Sequence, residues 1–84
     1  MLIELGECRN NLQIFTNATI DVDKIEAVQP IYYWEGGFYY YTFTIHLISG
    51  EKWEVKRKES SKINQCYRTI MTAWSHSSQI FKLL

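Results

Sequence analysis

One stretch constrains this chain more than any other. Between Phe38 and Lys58, Tyr39, Tyr41, Phe43, Ile45 and Leu47 alternate with Phe38, Tyr40, Thr42, Thr44, His46 and Ile48, and Trp53 and Val55 then stand between charged neighbours. A two-residue period rich in aromatic and β-branched side chains marks strands with one face buried. Ile48-Ser49-Gly50 joins the two runs. A type I turn followed by a left-handed glycine makes a three-residue loop with a bulge, and glycine takes positive φ there without a Cβ clash. That loop sets Ile45 opposite Trp53 and Phe43 opposite Val55, so both strands turn their apolar side chains the same way. A two-residue loop would set Ile45 against Glu54 and Phe43 against Lys56, and a slip of one residue sends every side chain to the wrong face. The three-residue loop is predicted.

The preceding hairpin follows the same logic. Glu35-Gly36-Gly37 as a three-residue loop pairs Trp34 with Phe38 and Tyr32 with Tyr40, and sets Tyr33 against Tyr39 and Ile31 against Tyr41 on the inner side. A two-residue Gly36-Gly37 turn remains an alternative. Earlier in the chain, Met1 to Leu5 reads as a strand, Arg9-Asn10-Asn11 as a turn, and Leu12 to Ile20 as extended structure. Asp21 to Lys24 reads as a tight corner. Ile25 to Trp34 gives a further strand, with Pro30 implying an edge or a bulge.

After Glu59, Ser60-Ser61 supplies an N-cap. Ile63, Cys66, Tyr67, Ile70, Met71 and Trp74 then recur at three- and four-residue spacing, the apolar stripe of an amphipathic helix. At 84 residues the chain is one domain, with sheet over about 1–58, helix over about 61–75 and an apolar tail at 79–84. The tail extends the helix, packs on the sheet or docks on another chain. The fold class is α+β: an antiparallel meander of four to five strands with one C-terminal helix packed on one face. The run from Phe15-Thr16-Asn17-Ala18 to Ile25-Glu26-Ala27, then Ser49-Gly50-Glu51-Lys52, Val55-Lys56 and a terminal helix, resembles small flagellar FlbD-type proteins. The resemblance implies an arrangement of elements and no function.

A 46% hydrophobic and 21% charged composition excludes disorder, and no apolar run is long enough to cross a bilayer as a helix. The opening Met1-Leu2-Ile3-Glu4 lacks a signal-peptide pattern, so a cytoplasmic chain with reduced thiols is expected. Cys66 is expected as a small core residue and Cys8 as exposed near a turn. A zinc site from Cys8, Cys66, His46 and His76 would need four separate segments to converge without a paired motif, so no metal is predicted. The nine basic and nine acidic residues balance, yet residues 1–42 carry −4 and residues 43–84 carry +4 by the same sequence. Such a dipolar chain can present a basic face to an acidic partner, or its halves can attract each other.

A lone helix covers one face of a sheet. The opposite face divides in two. Near Ser49-Gly50 it carries Thr42, Thr44, His46, Lys52, Glu54, Lys56 and Lys58, an ordinary solvated surface. Near Gly36-Gly37 it carries Tyr32, Trp34, Phe38 and Tyr40, an apolar patch larger than a soluble monomer needs. These four rings are the expected partner-binding residues, unless the tail or the N-terminal strand folds over them. No catalytic motif is present: His46 is expected to be solvated, His76 to cap the helix end, and the acidic residues are scattered. No cofactor is predicted. The sequence therefore reads as a non-catalytic protein-interaction module, a small regulator or inhibitor, phage inhibitors of host defence among them, acting through its aromatic hairpin and self-associating as a homodimer. The alternative is a small sequestering protein that holds a nucleotide or short single-stranded nucleic acid on the rings, with Lys52, Lys56 and Lys58 contacting the anion.

Overall fold

The computed structural model describes residues 1–37 and 39–77. Phe38 and the predicted tail at 79–84 lie outside them. Among the described residues eight antiparallel strands precede one α-helix: β1 (Leu2–Glu4), β2 (Cys8–Asn10), β3 (Gln13–Phe15), β4 (Thr19–Asp21), β5 (Ile25–Val28), β6 (Tyr32–Glu35), β7 (Tyr39–Leu47), β8 (Lys52–Arg57) and α1 (Ser60–Ser77). The α+β class is as read from the sequence, and the helix runs slightly longer than predicted.

The strand arrangement is richer than a meander. The main sheet runs β3-β2-β8-β7-β5, with β6 also paired to β7, while β1 and β4 form a separate two-stranded ladder. The predicted strand over Ile25 to Trp34 is broken at Pro30, where the chain leaves the ladder because proline has no N–H to donate. Its halves, β5 and β6, lie one after the other along the same edge of β7. The predicted turn at Arg9-Asn10-Asn11 shifts one step along. Arg9 and Asn10 belong to β2, and Asn11 turns the chain with a φ of 57°, a conformation asparagine accepts readily. The tight corner at Asp21 is a single 3-10 turn over Val22–Lys24, capped by the Asp21 carboxylate, which accepts from the Asp23 N–H.

The Ser49-Gly50 hairpin has the predicted register. Phe43 pairs with Val55 and Ile45 with Trp53, and Gly50 takes a φ of 97°. Phe43, Ile45, Trp53 and Val55 therefore share the side of the sheet that faces the helix. Phe43, Ile45 and Val55 are buried with Leu5, Cys8, Ile20, Val22, Ile25, Ile63, Ile70 and Trp74. Tyr67 meets Phe43 edge-on at 5.2 Å, an arrangement that aligns ring edge with ring face. The predicted helix stripe is the packed one: Ile63, Ile70 and Trp74 are buried, with Cys66, Tyr67 and Met71 packed against them. The first turn begins on the Glu59 carbonyl, which accepts from Lys62 and Ile63, rather than on a serine hydroxyl.

Cys8 differs from expectation. It lies in β2 opposite Val55 and is buried, because β2 joins the sheet where the sequence suggested a turn. Burial pushes both thiols above the ordinary cysteine value, against an opposing pull from Arg57. Among the described residues no cluster of His, Cys, Asp or Glu is fit to hold a metal ion, and no helix is long and apolar enough to cross a membrane.

Candidate docking face

The aromatic hairpin departs from the predicted register by two residues. Tyr32 pairs with Thr42, Tyr33 with Tyr41, Trp34 with Tyr40 and Glu35 with Tyr39. A shift of two preserves faces, so Tyr32, Trp34 and Tyr40 still point away from α1 and Tyr33 toward it. The observed register brings rings directly opposite one another. Trp34 stacks on Tyr40 at 5.1 Å with 21° between planes, and Tyr33 meets Tyr41 at 4.8 Å on the other face. Cross-strand aromatic pairs of this kind stabilise a ladder by about 0.5–1 kcal/mol each. Gly36 makes the first pair possible: a Cβ there would collide with Cη2 and Cζ2 of the Trp34 indole. The signal in the sequence was the position of Gly36 two residues after a tryptophan, on the same face.

Tyr39 and Tyr40 continue past the last pair with β8, Arg57 with Tyr41. The hairpin is thus a two-stranded arm at its tip, with the Trp34–Tyr40 stack on its outer face and the Tyr33–Tyr41 pair at its base on the inner one. Tyr32 is 60% exposed and Tyr33 43%; Trp34 and Tyr40 are half-buried against each other. Phe38, the fourth predicted docking residue, lies outside the described residues.

Lys56 extends the row. Its Nζ sits 4.7 Å from the centre of the Tyr40 ring, a cation–π contact. Tyr40 therefore meets both Trp34 and Lys56, so the ring offers a nucleobase less stacking surface than the sequence reading assumed. Across the rest of this face Thr42 pairs with Lys56, Thr44 with Glu54 and His46 with Lys52. Arg9 of β2 joins them opposite Glu54, a cation the turn reading of residues 9–11 concealed. The Thr42 hydroxyl is shielded here without a hydrogen-bond partner among the described residues.

At the end of β8 a cleft of about 550 Å³ opens between the arm and the start of α1, lined by Glu7, Tyr40, Lys56, Arg57, Lys58, Glu59 and Lys62. Lys62 is paired with Glu59 at 3.7 Å. Arg57 points to the inner side and donates to the carbonyls of Leu5, Glu7 and Lys56 at 3.0, 2.7 and 2.6 Å. It is a fastening for the N-terminal segment rather than part of a solvated charge run. Lys52, Lys56 and Lys58, the predicted anion contacts, therefore do not form one cluster: Lys56 packs on a ring, Lys58 borders the cleft, and Lys52 stands beside His46 near the opposite end of β8. His76 is exposed in the last turn of α1, where the hydroxyls of Ser75 and Ser77 bond back to the carbonyls of Thr72 and Trp74.

No family model, curated protein or solved structure matches this chain.

Proposed function

We propose that this protein is a non-catalytic interaction module, a small regulator or inhibitor of a larger protein, that docks through its aromatic arm. The supporting observation is the arm itself. A two-stranded ribbon is marginal in water and gains stability from a third strand or a covering surface, yet this one carries stacked rings on one face and exposed tyrosines on its edge. The helix serves the other side of the sheet. Its C-terminal turns lie near Met1, beside Thr72, Ala73 and His76, and the Met1 carbonyl accepts from Val22. The adjoining Lys24 carbonyl accepts from Ile48, so the chain leaves α1 at the sheet end remote from the arm.

A second copy meeting arm to arm is the most economical partner, since one self-complementary surface hides both sets of rings. Sedimentation of the full chain should give a dimer of twice 10.0 kDa, and Trp34→Ala with Tyr40→Ala should give a natively folded monomer. Tyr32→Lys, at an exposed ring, provides a variant that cannot unfold the core. A wild-type chain that stays monomeric, or a Tyr32→Lys protein that dimerises unchanged, refutes self-association through the arm.

A further inference from the structure

The outer sheet face and the arm have different chemistry, and the difference identifies a second kind of partner. Arg9, Lys52 and Lys56 stand on that face with Glu54 among them, and Glu7 lies beside Arg9 and Lys56. Lys58 borders the cleft beside Tyr40. The ion pairs among the described residues join the Met1 amine to Asp21 and Asp23, and Lys62 to Glu59. None of these involves Arg9, Lys52, Lys56 or Lys58. With Glu59 paired to Lys62, these four cations stand against Glu7 and Glu54, a local excess of two on the side that α1 leaves uncovered.

We propose that this face, from Arg9 and Lys52 across Lys56 to the Lys58 cleft, receives a carboxylate-rich segment of another protein. The proposal rests on the outer face being a docking surface and adds the chemistry of what docks. Charge complementarity selects the occupant. A second copy laid face to face would set lysine against lysine, and like charges facing each other across an interface cost affinity. Nucleic acid is disfavoured by the rings: Tyr40 meets Trp34 and Lys56, and single-strand binders depend on free aromatic faces for stacking. A carboxylate needs none of these faces. It pairs with the ammonium groups along β8 and leaves the arm's rings to the self-association proposed above.

The test uses the full chain and three fluorescein-labelled probes: a peptide alternating Glu and Leu, the same peptide with Gln for Glu, and an oligothymidylate of equal length. The Glu peptide should bind at least about tenfold more tightly than its Gln counterpart, as expected for several partly exposed ion pairs. Its affinity should fall as salt rises, and it should exceed that of the oligothymidylate. Combining Lys52→Ala, Lys56→Ala and Lys58→Ala should remove that preference while circular dichroism and solution mass stay those of the wild type. Equal binding of the two peptides, no binding of either, or an unchanged Glu preference in the triple variant overturns the proposal. Tighter binding of the oligothymidylate overturns it in favour of nucleic acid. Loss of self-association on altering Trp34 and Tyr40, with no lysine effect on peptide binding, leaves the arm as an interface and removes only the acidic partner.

Discussion

Arg57→Lys is the substitution that best tests how the N-terminal segment is held. The guanidinium donates from Nη2 to Leu5 and from Nη1 to Glu7, bridging the chain between β1 and β2 to the end of β8. Gly6 lets the segment curl closely around it, with a φ of 69° and only 2.8 Å between a notional Cβ and Nη2. Lysine keeps the charge but presents one compact ammonium, which cannot span both carbonyls as a planar fork does. A hydrogen bond from a charged donor contributes about 1.5–3 kcal/mol when shielded. The Leu5 bond is partly buried and the Glu7 bond exposed, so the second counts for less and the pair amounts to about 2–3 kcal/mol. In a domain of this size the melting temperature should fall by about 10–20 °C. Thermal denaturation followed by circular dichroism measures it. A double-mutant cycle adds a sharper criterion. Gly6→Ala should cost more in the wild type than in the Arg57→Lys background, where only the strain of positive φ, about 1 kcal/mol, remains. An Arg57→Lys protein melting within about 2 °C of wild type, or additive effects in the cycle, would refute this account of the segment.

Two further outcomes follow from the packing. Thr42→Val replaces a shielded hydroxyl that has no partner among the described residues with a methyl of the same shape and should raise the urea midpoint by the equivalent of about 1 kcal/mol; a lowered midpoint would mean the hydroxyl has a role in the fold. Burial holds the Cys8 and Cys66 thiols above their ordinary value, so the unfolded thiols ionise first as pH rises. Their contribution is intact below the ordinary thiol range, about 8.5, and lost above it. Stability should therefore fall as pH rises above about 8.5, and less steeply with both replaced by Ala; identical slopes would contradict it.

The core hairpin was legible because its two readings differed in kind. One register put Val55 and Trp53 on the side of Phe43 and Ile45; the other put Lys56 and Glu54 there. Burial energetics decides such a choice from letters alone. The helix was legible for the same reason, through the spacing of Ile63, Ile70 and Trp74. The β2-β3 hairpin was not. With three residues in each strand it offers too little alternation to read, and its place beside β8 is a long-range pairing that no local pattern encodes. Arg9 and Cys8 were misplaced together as a result, one denied to the outer face and the other to the core.

The aromatic arm shows where hydrophobic patterning stops deciding. Every candidate residue between Ile31 and Tyr41 is apolar or aromatic except Glu35 and the glycines, so two registers differing by two residues bury the same faces equally well. What separates them is ring geometry: the observed pairing stacks Trp34 on Tyr40 and Tyr33 against Tyr41, and it needs the space that Gly36 leaves for the indole. The same geometry changes what the surface can recognise. With Tyr40 in contact with an indole and the Lys56 ammonium, its ring offers less free face for stacking, while Tyr32 on the same face stays exposed. The cations beside these rings have no carboxylate partners among the described residues, so charge, and not stacking, is what the proposed acidic partner is asked to read.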